Sequence, residues 1–186
     1  MSNSTVLLAV ADGSEEIELI TLVDVLRRAD IDVTMVSVMS QRQITGAHNV
    51  QLRADALMAD VMDQEFDAIV LPGGMPGATH ISECTALVSM LKEQQSRGEL
   101  VAAICASPAV VLAKHGMLEG RRAVAYPGFE EGLTDAGAEL VVENVVHDGN
   151  IITSRGPATA MEFALYLVQV LVGEAKAAEV KAGLLA

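Results

Sequence analysis

The sequence predicts an α/β protein with a doubly wound, mostly parallel sheet sandwiched by helices. Three observations carry this. Short continuous apolar runs recur along the chain, each closed by a turn bearing Gly, Pro or Asp. Segments with apolar residues at helical spacing alternate with those runs. Finally, 51% of the 186 residues are hydrophobic and only 3% aromatic, so the interior is built from Val, Leu, Ile, Ala and Met.

The elements follow in order. Residues 5–11 (TVLLAVA), closed by Asp12-Gly13-Ser14, have the pattern of a buried parallel strand. Ser14 is a candidate helix cap, and Ile17, Leu19, Ile20, Val23 and Leu26 then recur at helical spacing. Residues 32–38 read as the second strand. Residues 43–46 and 50–53 read as a small antiparallel addition joined by Ala47-His48-Asn49. Residues 67–71 (DAIVL) are a further buried strand, ended by Pro72-Gly73-Gly74. One helix is expected over 82–96, closed by Arg97-Gly98. Residues 100–104 (LVAAI) form a central strand, followed by a helix over 107–114 that ends at His115-Gly116. Short strands are expected at 123–125, 139–142, 145–146 and 151–153, with a hairpin-turn signal at Asp148-Gly149. Pro157 opens a long apolar helix to about residue 172, and 175–184 is a terminal helix. No repeat, linker or low-complexity tract interrupts the pattern, so residues 1–186 are expected to form one domain.

Composition narrows the function. The formal net charge is -13 and Lys and Arg form no cluster, which disfavours a nucleic-acid binder, as does the scarcity of aromatic stacking platforms. The N-terminus lacks a basic leader segment, and no apolar run reaches the roughly 18 residues of a membrane span. With only two cysteines, Cys84 and Cys105, a disulfide framework is not expected. A cytoplasmic protein in a reducing compartment fits these features.

In a doubly wound sheet, sites lie beyond the carboxyl ends of the strands. Three turns fall there: 12–18, 72–77 and 104–108. In the last, Ala102-Ala103-Ile104-Cys105-Ala106-Ser107-Pro108, a buried strand runs straight into Cys105 and a helix begins at once. A nucleophile on such an elbow is lifted clear of the sheet, and a helix N-terminus beside it favours thiolate. A buried, inert cysteine at a strand end is the competing reading. The N–H groups of Gly74 and Ala106 are placed to hold an oxyanion. Glu15, Glu16 and Glu18 follow the first turn, and one of their carboxyls can reach the Cys105 turn, form a coupled pair with the thiol and serve as general acid and base. The four histidines show no ligand spacing, so no metal site or cofactor is expected.

Four segments carry a resemblance: Gly13-Ser14-Glu15-Glu16-Ile17-Glu18, Val70-Leu71-Pro72-Gly73-Gly74, Ala102-Ala103-Ile104-Cys105-Ala106 and Thr153-Ser154-Arg155-Gly156-Pro157. In this order and spacing they resemble the DJ-1/ThiJ/PfpI superfamily, in its branch of protein deglycases and YajL-type proteins. The resemblance implies a flavodoxin-like sandwich, a homodimer, Cys105 as the reactive cysteine and Glu18 as the protonated carboxyl touching it. It implies Gly74 and Ala106 as oxyanion donors, and a pocket completed by Gly73, Tyr126, Ser154, Arg155 and Pro157 together with His48 of the partner subunit. Two positions depart from that branch. Tyr126 stands where a histidine is often found, and His48 where an arginine approaches the pocket. Ala106 occupies the position where a protease-like branch carries histidine, which argues against peptidase activity.

The implied activity is that of a cysteine-dependent stress-protective enzyme. It would act on 2-oxoaldehydes or their early glycated adducts, as a glutathione-independent glyoxalase or a deglycase. The alternative is an oxidative-stress sensor or chaperone-like protein working through oxidation of Cys105.

Overall fold

The computed structural model describes residues 3–186; Met1 and Ser2, the start of the stretch read above as lacking a leader, lie outside them. The chain runs β1 (Thr5–Val10), α1 (Glu16–Arg28), β2 (Asp32–Ser37), β3 (Gln43–Thr45), β4 (Gln51–Arg53), β5 (Ala56–Leu57) and β6 (Ala68–Leu71). It continues through α2 (Gly77–Glu83), α3 (Thr85–Ser96), β7 (Leu100–Ile104), a short wide helix (Pro108–Ala113), β8 (Arg122–Ala123) and α4 (Glu130–Asp135). It closes with β9 (Glu139–Leu140), β10 (Val145–Asp148), β11 (Ile151–Ser154), α5 (Ala160–Val172) and α6 (Glu174–Leu184).

Seven strands form one sheet in the order β10-β11-β7-β6-β1-β2-β5. Only β10 is antiparallel to its neighbour. Side chains alternate across a strand, and in the central strands β1, β6 and β7 both faces are buried, so after Thr5 these runs are apolar throughout. Val6, Leu8, Val10, Val70 and Ala102 pack against Leu19, Leu22 and Leu26 of α1 and Phe163 and Leu167 of α5. Leu7, Ala9, Ile69, Leu71 and Val101 pack on the other face against Leu87 and Leu91 of α3 and Val111 and Leu112. The strand order reverses direction between β1 and β6, where such folds open a crevice.

Several local expectations change. The helix expected over 82–96 is two helices, α2 and α3, broken at Cys84, whose backbone is extended (φ -74, ψ 94). The break lets α2 and α3 seat Ile81 and Leu87 separately in one core layer. The helix expected over 107–114 is six residues long, with the Lys114 N–H bonded five residues back to the Ala109 carbonyl. Ser14 does not cap α1. Its Oγ accepts the Ala11 N–H at 3.0 Å, and Glu15 is the cap, accepting the Glu18 N–H at 2.8 Å. Strands 123–125 and 139–142 shorten to β8 and β9, which pair with each other outside the main sheet. β5, α4 and the start of α2 over 77–81 carry too few residues to show a period and were not expected.

Candidate active site

Three turns meet at the crevice between β1 and β6. Cys105 directly follows β7 in a left-handed conformation, φ 67, which an L-residue rarely adopts. Bonds on either side hold it there. Its N–H donates to the Ser154 carbonyl at 3.0 Å, and its carbonyl accepts the Tyr126 N–H at 2.8 Å. The thiol is buried, with the residue 7% exposed.

Glu18 comes from the first turn of α1 and is fully buried. Its Oε2 accepts the Gly73 N–H at 2.7 Å, and the side chain is in hydrogen-bond contact with Cys105. Its Oε1 has no hydrogen-bond partner among the described residues. Burial pushes the Glu18 carboxyl up to about 7, against the pull of the Gly73 N–H and Cys105. The thiol moves the same way. Burial, then the Glu18 charge, push Cys105 up to about 12, while the N–H groups of Gly74 and Ala106 pull it down. The sequence-based expectation of a helix-stabilised thiolate is therefore corrected in its cause and direction. The helix after Cys105 is short, and burial of the thiol, with the Glu18 charge second, outweighs the pull of the N–H groups. At neutral pH the pair retains a proton, and Glu18 is placed to take it from sulfur.

The Gly-Gly loop is what brings these groups together. A Cβ on Gly73 would stand 2.5 Å from the Cys105 Cβ and 2.9 Å from Glu18 Oε2, so only glycine fits. Gly74 has φ 87, and a Cβ there would collide with the Glu15 nitrogen and the Gly13 carbonyl. Two successive peptide groups are each pinned on one side and aimed on the other. The Pro72 carbonyl accepts from Ser107 Oγ, while the N–H of the same peptide, on Gly73, meets Glu18. The Gly73 carbonyl accepts the Glu15 N–H at 3.0 Å, while the N–H of that peptide, on Gly74, meets Cys105.

The remaining expected residues divide. Tyr126 touches the elbow through its backbone, its ring lies against Gly156, and it is 45% exposed. Ser154 contributes its carbonyl to Cys105, but its hydroxyl is turned away to the Asn144 carbonyl and Thr159. Arg155 is half-buried between these contacts and makes no ion pair among the described residues. Pro157 opens a helical turn leading into α5. Within one chain, the His48 ring lies 3.0 Å from Glu16 Oε2 and 3.9 Å from Glu15 Oε1, while the His48 backbone N–H donates to Glu16 Oε1. The structure thus gathers Glu15, Glu16 and His48, with ligand-type atoms within 4.8 Å of one another, which sequence spacing did not show. Both Glu16 oxygens are already engaged by His48, so the group is organised as a hydrogen-bonded lock on the β3–β4 hairpin. Two residues were overlooked at the site, Ser107 and the capping role of Glu15. The signals were a hydroxyl two positions past the elbow cysteine and a carboxyl three positions before Glu18.

A cavity of about 650 Å³ lies between α5 and α6 around Met161, Leu165, Tyr166 and Lys181, and Cys105 does not line it. Among the described residues, no helix is long and apolar enough to cross a membrane.

These features define the class: an α/β sandwich with an elbow cysteine, a buried carboxyl partner and two converging backbone N–H groups. The model of the DJ-1/PfpI family matches residues 4–170, and the chain belongs to that family. It is 45% identical over 97% of its length to Protein DJ-1 homolog A of Arabidopsis thaliana, and spans 46% of that protein. Thus the chain spans about half the length of the plant relatives it matches. It is 37% identical to the glutathione-independent glyoxalase DJR-1.2 of Caenorhabditis elegans, covering 93% of this chain and 91% of that one. Among solved structures, Drosophila melanogaster DJ-1beta superposes with a TM-score of 0.95 at 42% identity, covering 99% of this chain and 98% of that one. Oxidized Toxoplasma gondii DJ-1 superposes with a TM-score of 0.93 at 43% identity, covering 98% of each chain.

Proposed function

We propose that this protein is a cysteine-dependent glyoxalase that converts free 2-oxoaldehydes to 2-hydroxy acids without glutathione. The observation that carries the reading is the contact of buried Glu18 with Cys105 beneath two N–H donors. The Cys105 sulfur attacks the aldehyde carbon of methylglyoxal, and the thiol proton passes to Glu18. The aldehyde oxygen becomes an oxyanion held by the Gly74 and Ala106 N–H groups. Glu18 hands the thiol proton to the ketone oxygen and, ionised again, moves a proton from the former aldehyde carbon to its neighbour. This oxidises the first carbon to a thioester and reduces the ketone to an alcohol, so no external oxidant enters. Water cleaves the thioester, releasing lactate and restoring the thiol. The relative's name as a glutathione-independent glyoxalase agrees with this chemistry.

Burial of Cys105 favours a small free aldehyde over an adduct on a folded protein, so deglycation is the lesser activity in this reading. The whole chain acts as one domain, in the cytoplasm and as a homodimer. Free Cys84 and Cys105 suit a reducing compartment. Ile17 and Ile20, exposed on α1, and Val50, exposed beside His48, offer an apolar face for a second copy.

A second reading has its own observation. The donors that would hold an oxyanion, with Glu18, also fit the oxygens of a cysteine sulfinate, so an oxidation sensor uses the same cradle.

The test is lactate formation from methylglyoxal without glutathione by the wild type, Cys105→Ala and Glu18→Ala. Loss of turnover in both folded variants supports the enzyme. An inactive wild type whose Cys105 gains two oxygens under mild peroxide overturns it in favour of the sensor.

A further inference from the structure

We propose that Ser107 is a positioning residue of this site, whose hydroxyl holds the Pro72–Gly73 peptide so that its N–H is aimed at, and polarised towards, the Glu18 carboxyl. The inference rests on reading Cys105 and Glu18 as the reactive pair. Ser107 is fully buried. It does not cap the helix it precedes. Its Oγ instead donates to the Pro72 carbonyl at the end of neighbouring β6, 35 residues earlier in the chain. The N–H of that same peptide donates to Glu18 Oε2 at 2.7 Å. A donor on an amide oxygen draws electron density from the nitrogen and strengthens the N–H as a donor. The hydroxyl is thus linked through one peptide group to the carboxylate, and it ties the elbow to the loop that also supplies the Gly74 N–H.

The sign follows from which form of Glu18 each group favours. The Gly73 N–H favours the carboxylate, so Ser107 lowers the proton affinity of Glu18 by strengthening that bond. The charged or titratable groups around Glu18 are Cys105 from the end of β7 and Glu15 from its own helix. The Pro72–Gly74 loop carries no charged side chain. His48 of the hairpin meets Glu16 and Glu15, while Glu162 and Tyr166 of α5 bond to Asn144 and His147.

The experiment is the rate of Cys105 alkylation by iodoacetamide against pH, followed on the Cys105 peptide by mass spectrometry, in the wild type and Ser107→Ala. Removing the hydroxyl should move the midpoint upward by about 0.3 pH units and slow alkylation about twofold below it. The Gly73 amide proton should also move upfield in the NMR spectrum. A purely structural Ser107 moves neither, and an unchanged midpoint with an unchanged Gly73 resonance overturns the proposal. Alkylation needs no turnover, so a wild type inert towards methylglyoxal would sink the glyoxalase reading while leaving this test intact.

Discussion

The Gly73 N–H donates to Glu18 Oε2 at 2.7 Å across 55 residues of chain, and among the described residues it is the one hydrogen bond from the backbone to this desolvated carboxyl. The other oxygen is buried without a hydrogen-bond partner among the described residues. A carboxylate so placed is costly when ionised, which is why its proton affinity rises.

A stability prediction follows. Because the folded-state value of Glu18 is raised to about 7, its stabilising contribution is complete below the unfolded value of 4.5 and is lost as pH rises towards 7. Glu18→Gln removes that loss. Compared with wild type, the variant should gain stability between pH 5 and pH 8, by up to about 3 kcal/mol. Urea unfolding at the two pH values checks this, and a pH-independent difference would contradict it.

Cys105 reactivity should titrate with its neighbour rather than by itself. Alkylation should rise through an inflection near 7, where Glu18 becomes available as base. In Glu18→Gln that inflection should vanish, leaving reactivity that rises only at alkaline pH, because burial still holds the thiol up. A retained inflection near 7 would assign it to another group.

Gly73→Ala should be more damaging than its size implies. The added methyl has Cys105 Cβ at 2.5 Å and Glu18 Oε2 at 2.9 Å, so the loop must withdraw and take the Gly73 and Gly74 N–H groups with it. Turnover should fall at least about a hundredfold, the scale of a lost oxyanion donor. Stability should drop by about 1–3 kcal/mol. Wild-type kinetics would show that the loop does not set the site.

The hairpin lock makes a prediction at acid pH. Burial pushes Glu16 up, but the bonds from the His48 ring and the His48 and Val50 N–H groups outweigh it and hold the carboxyl below its ordinary range. Its contribution is therefore present above the unfolded value and lost as pH falls through the lower folded value. His48→Ala should raise the Glu16 titration, read by carboxyl NMR, and move acid unfolding to higher pH. An unmoved Glu16 would show that the backbone donors suffice.

Much of this was legible in the chain. The apolar runs at β1, β6 and β7 mark buried parallel strands because only strands covered on both faces carry no polar alternation. Strand-to-helix turns of small residues around Cys105 mark the elbow, and the four quoted segments fit the family shown by residues 4–170. Less was legible where elements are short. The break at Cys84 lies inside a continuous helical pattern, and Ser14 and Glu15 are both plausible caps until the turn is folded.

Periodicity and turn chemistry are local properties, so the layered α/β architecture and the residue types at the site are legible in the chain. Tertiary structure decided which carboxyl of Glu15, Glu16 and Glu18 meets the thiol, that Ser107 reaches Pro72, and that both members of the pair are pushed towards their neutral forms. Those outcomes depend on burial and on contacts between distant segments. Desolvation and hydrogen-bond geometry exist only once α1, the Gly-Gly loop and the elbow are packed together.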